Sequence, residues 1–151
     1  MTQNRPSEDA QSTPQPQCDE ELIAALQMFD AAGNIHLAAI CADAARSPLF
    51  REVRGDFHGA ARWIGQHNAD RRNIYSQPNR VREGCTGKAS ADDIDAVRFF
   101  QVDIDPPKDG SPFDVAAAAD QLNAMTVPPS FIIHSGGGVQ AFWRLSEPIS
   151  V

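Results

Sequence analysis

Residues 99–107 read Phe-Phe-Gln-Val-Asp-Ile-Asp-Pro-Pro, and no other segment restricts the fold as much. Its aromatic and β-branched residues predict a buried strand. Pro106 and Pro107 end that strand, because proline has no N–H to give to a sheet ladder. The strand therefore carries Asp103 and Asp105 at its exit. Side chains alternate along a strand, so residues i and i+2 project from one face. Two carboxylates on one face beside an apolar core repel each other unless a cation sits between them. Paired hard oxygen ligands are what Mg²⁺ or Mn²⁺ recruits, usually together with a substrate phosphate. A bare Asp-x-Asp also suits two solvated acids at a surface strand end; the apolar lead-in favours the metal reading.

The second informative segment follows one helix later. Phe131 to His134 reads as a strand, Gly136-Gly137-Gly138 as a tight turn, and Val139 to Leu145 as the return strand of a hairpin. Glycines expose backbone N–H groups and allow φ > 0, so such a turn can form a nest for phosphate oxygens. His134 and Ser135 add side-chain donors. A flexible hairpin loop is the plainer reading of three glycines, and the flanking His-Ser and nearby acidic pair argue for more.

Other elements follow from periodicity and breakers. Leu22, Ile23, Leu26 and Phe29 recur at helical spacing from about Asp19, and Gly33-Asn34 ends that helix. Residues 35–45 are ambiguous between a strand (Ile35, Leu37, Ala39) and an alanine-rich helix. A helix is predicted from about Phe57 to Asn68, a short strand over Asn73–Ser76, and a polar loop over Pro78–Lys88. Ser90 is an N-cap candidate for a short helix, with Asp93 favourable to its dipole. Ser111-Pro112 carries the cap-and-proline signature of a helix start, continuing over Ala116–Met125 until Val127-Pro128-Pro129. Helices mixed with short strands and a hairpin predict an α+β fold. Residues 1–17 are polar and rich in Gln, Pro and Ser, which predicts a disordered tail.

The 151 residues suffice for one domain. No apolar run approaches the ~20 residues a bilayer span requires, and no signal peptide is evident, so a cytoplasmic protein is expected. Cys18, Cys41 and Cys85 are far apart, without a Cys-x-x-Cys pair, and suit reduced thiols. The net charge of −7 opposes indiscriminate nucleic-acid binding. Residues 46–88 nevertheless hold nine basic side chains against four acidic ones. That bias reads either as a solvated face or as a surface for polyphosphate or a nucleic-acid backbone. Gly84-Cys-Thr-Gly-Lys-Ala is not a P-loop, since only two residues separate its glycines and Ala89 follows Lys88. His36, His58 and His67 show no metal-ligand spacing.

Taken in order, the acidic pair, the helix, Ser-Gly-Gly-Gly and the aromatic strand resemble the archaeo-eukaryotic primase superfamily. The resemblance is to the primase-polymerase domains of plasmid, phage and prophage replication proteins. Val102-Asp103-Ile104-Asp105 matches the family's first motif, and Ser135-Gly136-Gly137-Gly138 with Phe142-Trp143 matches the second. Asn73-Ile74-Tyr75, Pro78-Asn79, Gly87-Lys88-Ala89, Asp92-Asp93-Ile94 and Arg98 resemble the approach to the first motif. The likeness spans roughly residues 50–150. It implies an α+β, RRM-like primase-polymerase catalytic core over 18–151, cut short before its third motif. It implies template-directed nucleotidyl transfer, with Asp103 and Asp105 as catalytic ligands of Mg²⁺ or Mn²⁺. His134, Ser135, Gly136, Gly137, Gly138 and Gln140 would bind the phosphates of an NTP or dNTP. The implied partners are a DNA template and a helicase domain encoded downstream, not a membrane.

Two departures qualify this. The family's His after the glycine turn falls at Gln140, which can donate a hydrogen bond but carries no charge. The family's third acidic motif would lie beyond Val151, so the chain is expected to bind metal or nucleotide without extending primers. Two other readings remain open: a non-catalytic replication or DNA-binding remnant, and a metal-dependent phosphohydrolase. Pro107, where dehalogenase-type phosphatases carry Thr, weighs against the last. Sugar-nucleotide glycosyltransferases also use Asp-x-Asp.

Overall fold

The computed structural model describes residues 16–43, 45–135 and 137–151. Its elements in chain order are α1 (Pro16–Phe29), β1 (Asn34–Cys41), β2 (Leu49–Arg54), α2 (Phe57–Ala69) and β3 (Arg72–Gln77). There follow β4 (Arg80–Val81), β5 (Ile94–Ile104), α3 (Val115–Asn123), β6 (Phe131–His134) and β7 (Val139–Ser150). The class is α+β, with one antiparallel sheet of order β2-β1-β3 and a second of order β4-β5-β7-β6. Among the described residues no helix is long and apolar enough to cross a membrane. The tail expected over 1–17 lies outside the described residues as far as residue 15, and Pro16 and Gln17 belong to α1.

The first sheet settles the ambiguous segment as a strand. Ile35, Leu37 and Ala39 of β1 are buried at period two. Ile35 and Leu37 pack with Val53 of β2, Leu26 of α1 and Ala60 of α2. Burial on one sheet face outweighs the helix preference of the alanines. β2 had no sequence expectation, because Arg51, Glu52 and Arg54 mask the alternation that ends in buried Val53. α2 starts at the N-cap Asp56, whose carboxylate accepts from the Gly59 N–H at 2.8 Å. Between α1 and β1, Gly33 adopts φ +79°, and a Cβ there would sit 2.5 Å from the Gly55 nitrogen. Both the conformation and the contact exclude a side chain.

The second sheet buries two faces of unequal completeness. On one, Phe99, Phe131 and Phe142 meet Phe29 of α1, with the Phe131 and Phe142 rings stacked at 4.8 Å. On the other, α3 lays Leu122 over Val139 and Ala141, with Ile104, Ile132 and Trp143 around them. The buried β5 expected from Phe-Phe and Val forms only in part. Phe99 is buried, but Phe100 is 59% and Val102 44% exposed. The buried cluster under α3 is built from β7 residues, and on that face Phe100 and Val102 of β5 stay outside it. α3 also starts later than expected. Its cap is Asp114, accepting from the Ala117 N–H at 3.0 Å, while the Ser111 N–H turns to Asp109. Ser90 donates both its N–H and its hydroxyl to Asp93, closing a single 3-10 turn.

The end of α1 joins the sheets. Phe29 packs on the core of the first sheet and on the aromatic cluster of the second. Asp30 pairs with Arg98 of β5, and the Met28 carbonyl accepts from Arg144 of β7. β5 shifts register against β7 between Val97 and Phe99. There the Arg98 and Phe99 N–H groups both donate to Asn79 Oδ1, at 2.8 and 2.9 Å. The irregularity thus leaves neither donor unsatisfied.

Candidate functional site

β5, β6 and β7 bring part of the sequence-derived set together. Asp103 stands directly opposite Gln140, which is in turn opposite Ile133. Directly paired residues share a sheet face, so these three side chains point the same way. The Gln140 amide donates to Asp103 Oδ2 at 3.3 Å. Ser135 follows β6 at the same end of the sheet. Asp103, Gln140 and Ser135 line one cleft of about 760 Å³, within the size range of small-ligand sites. Asn68 of α2 and Asn73 and Tyr75 of β3 form the opposing wall, and Phe29 and Phe142 also line it.

The remaining residues of that set lie elsewhere. His134 pairs with Val139, whose buried side chain belongs to the cluster under α3. His134 is therefore on the far face of the sheet from Asp103 and Gln140. Gln140, not His134, is the donor on the Asp103 face. Asp105 follows the last residue of β5 and is not among the residues lining the cleft. Gly136 lies outside the described residues. Gly138 does not take up the φ > 0 that the turn was expected to use. Gly138 answers to a different demand: a Cβ there would come 2.6 Å from the Ile104 carbonyl oxygen and 3.5 Å from the Asp105 Cα. The turn is pressed onto the exit of β5, which fixes Ser135 relative to Asp103.

Sequence reasoning did not single out Asn68 and Gln101 as cleft residues. Gln101 was accessible by alternation, being two residues before Asp103 on one strand face. Nothing near Asn68 in the chain marks it, since the last turn of α2 meets the cleft only through tertiary packing.

The electrostatics differ from what the basic segment 46–88 suggests. Arg46 pairs with Asp70, Arg51 with Asp56, Arg54 with Glu52 and Glu83, and Arg80 with Asp95. Arg72 is buried and donates to the Ser47 carbonyl at 2.9 Å. Hydrogen bonding to Arg46 holds the Asp70 carboxyl below its ordinary range. Most of this positive charge is therefore compensated locally. Among the described residues lining the cleft there is no Lys, Arg or His. A polyphosphate entering it would meet the Asp103 carboxylate with no protein cation to offset the repulsion, so an added cation is required for such a ligand. Within the cleft Asp103 supplies a hard oxygen donor of the type that holds Mg²⁺ or Mn²⁺ when phosphate and water complete the shell, while Asp105 stands outside the lining. Among the described residues no group of three His, Cys, Asp or Glu could hold a metal through protein ligands alone. The donor set fits a cation that arrives with its anionic ligand, not a closed protein cage.

No protein-family model matches the chain, no curated protein is similar to it, and no solved structure matches it.

Proposed function

We propose that the Asp103 cleft binds a nucleoside triphosphate through Mg²⁺ or Mn²⁺, as the core of a primase-polymerase-type nucleotidyltransferase with an RRM-like fold. The observation that carries this is the convergence of Asp103, Gln140 and Ser135 on one cleft that, among the described residues, has no cationic side chain. When bound, the metal would neutralise phosphoryl charge and polarise the reacting oxygens. The Ser135 hydroxyl supplies a hydrogen-bond donor for a phosphate oxygen. Gln140 holds one Asp103 oxygen in place from the neighbouring strand. Asn68 and Asn73 offer neutral amides for the sugar or base on the facing wall.

Isothermal titration of dATP tests the reading. Binding is expected with Mn²⁺, none with EDTA, and at least a tenfold loss in Asp103→Ala. Binding that persists without metal, or that Asp103→Ala leaves unchanged, overturns it. With Asp103 as the one carboxylate lining the cleft among the described residues, we expect a bound metal–nucleotide without primer extension. Template-dependent extension abolished by Asp103→Ala would show that expectation to be wrong. Release of phosphate from monoesters without a template would favour a phosphohydrolase instead.

A further inference from the structure

An open seam runs between the two sheets. β3 is the last strand of the first sheet, and only Pro78 and Asn79 separate it from β4, which pairs with β5. β4 meets β5 at Ile94 and Ala96 alone, so beyond Ala96 no strand among the described residues pairs with that side of β5. Register tells which backbone groups face the seam. The Gly55 N–H donates to the Gly33 carbonyl at 3.2 Å, and hydrogen-bonded pairs alternate along antiparallel strands. Ile35, Leu37 and Ala39 therefore bond to β2, while His36, Ala38 and Ile40 bond to β3. The N–H and C=O groups of Ile74 and Ser76 are left on the outer edge of β3. In the second sheet the Ser135 N–H donates to the Gly138 carbonyl at 3.1 Å. The same alternation turns the backbone groups of Phe99, Gln101 and Asp103 away from β7.

Asn79 shows what such groups accept. Its side-chain amide accepts from the Phe99 N–H at 2.9 Å and donates to the Phe99 carbonyl at 3.3 Å, as the peptide group of a neighbouring strand would. Gln101 and Asp103 come next along the same edge. Open edges are commonly blocked by charge or proline, yet residues 73–77 carry neither. The seam also has a cavity on each face. Tyr75, Ser76 and Gln101 line both the Asp103 cleft and a second cavity of about 570 Å³. The second lies on the face where register sets Phe50, Ala38 and Tyr75 in one row, and no carboxylate lines it. Among the described residues Asp103 is the one charged group of the first. Successive side chains of a strand point to opposite faces. A strand in the seam would thus send apolar side chains toward Phe50 and Tyr75, and a cationic one toward Asp103.

We propose that the seam between β3 and β5 takes up an extended segment of a partner protein, alternating apolar with polar or basic side chains, as an added strand bonded to both edges. The backbone edges set the class of ligand, and the two cavities set its pattern. This does not rest on the nucleotide function proposed above. Both ligands use the Asp103 face, so each excludes the other.

Fluorescence anisotropy of the dye-labelled pentapeptide Thr-Leu-Lys-Leu-Thr with the full chain, in EDTA, tests it. The peptide is expected to bind. N-methylation of its two leucines removes two backbone donors and is expected to weaken binding about tenfold. The same composition without alternation, Leu-Leu-Lys-Thr-Thr, is expected to lose affinity. Ser76→Pro removes an edge N–H and spares the ladder to β1, and about a fivefold loss is expected, with circular dichroism reporting an unchanged fold. Asp103→Asn is expected to weaken the lysine peptide and to leave Thr-Leu-Thr-Leu-Thr unaffected. Absence of binding by the unmodified chain overturns the proposal, as does equal affinity for the N-methylated peptide. A dimer in sedimentation velocity that Ser76→Pro dissociates would assign the seam to a second copy and also overturn it. Simultaneous binding of the peptide and Mn²⁺–dATP at full affinity would overturn the placement. Failure of the Mn²⁺–dATP titration with peptide binding intact removes the nucleotide function alone.

Discussion

At Gly138 the absence of one side chain decides how the hairpin meets β5. The contact with the Ile104 carbonyl oxygen leaves no room for a methyl group, since 2.6 Å is below any normal carbon–oxygen approach. The listening point for this is stability, because the backbone on either side must move to admit a Cβ. Gly138→Ala is expected to lower unfolding free energy by about 2 kcal/mol in urea titration, in the range for overpacked sites. Gly137 has open space around it, and Gly137→Ala is expected to change stability by less than about 0.5 kcal/mol. Equal effects of the two substitutions would refute the close-approach account. Gln140 is decided at the same scale. Its place opposite Asp103 makes it a partner of that carboxylate, whereas adjacent His134 and Ser135 go to different environments.

Among the elements, the junction of α1 with β5 rests on a pair that is largely shielded from water. The Asp30 and Arg98 side chains are 7% and 20% exposed. Burial would raise the Asp30 pKa, but Arg98 and the N–H groups of Ala32 and Asn34 outweigh it and hold the carboxyl below its ordinary range. A carboxyl depressed in the folded state stabilises the fold fully above its unfolded value of 3.8 and loses that contribution as pH falls through the lower folded value. Arg98→Met leaves the Asp30 charge buried without its partner, at an expected cost of about 3 kcal/mol near neutral pH. The difference from the unmodified chain should shrink below about pH 4, as Asp30 becomes neutral. Urea unfolding as a function of pH measures both, and a gap that widens on acidification would contradict the assignment. The exposed pairs of Arg54 with Glu52 and Glu83 carry no comparable expectation, because solvent screens them.

For the whole molecule, Phe29 packs both on the core of the first sheet and on the aromatic face of the second, opposite the cluster under α3, and it also lines the Asp103 cleft between the sheets. Trp63 packs on the core of the first sheet and Trp143 on that of the second, so each indole reports on one of them. In single-Trp variants, both probes are expected to unfold together in urea, because a shared aromatic cluster couples the sheets. Phe29→Ala is expected to cost about 3 kcal/mol and to separate the two transitions. Coincident transitions in Phe29→Ala would mean that other contacts carry the coupling.

Much of this was readable in the chain itself. Pro106-Pro107 marked the end of β5, the glycines marked the β6–β7 turn, and helical spacing marked α1 and α2. These are local effects of missing donors, permissive backbone and side-chain period, which need no distant partner. The acidic strand exit at Asp103 was legible for the same reason. Tertiary structure decided the rest. Burial against α1 and α2 made 34–41 a strand in spite of its alanines, and β2 took shape beneath a charged pattern. Strand register, which no local preference specifies, separated His134 from Asp103 and joined Gln140 to it. Packing of the two sheets across Phe29 brought Asn68 and Asn73 to face that carboxylate. The sequence by itself determined where strands end and which residues can carry chemistry; long-range pairing and burial determined which of those residues meet.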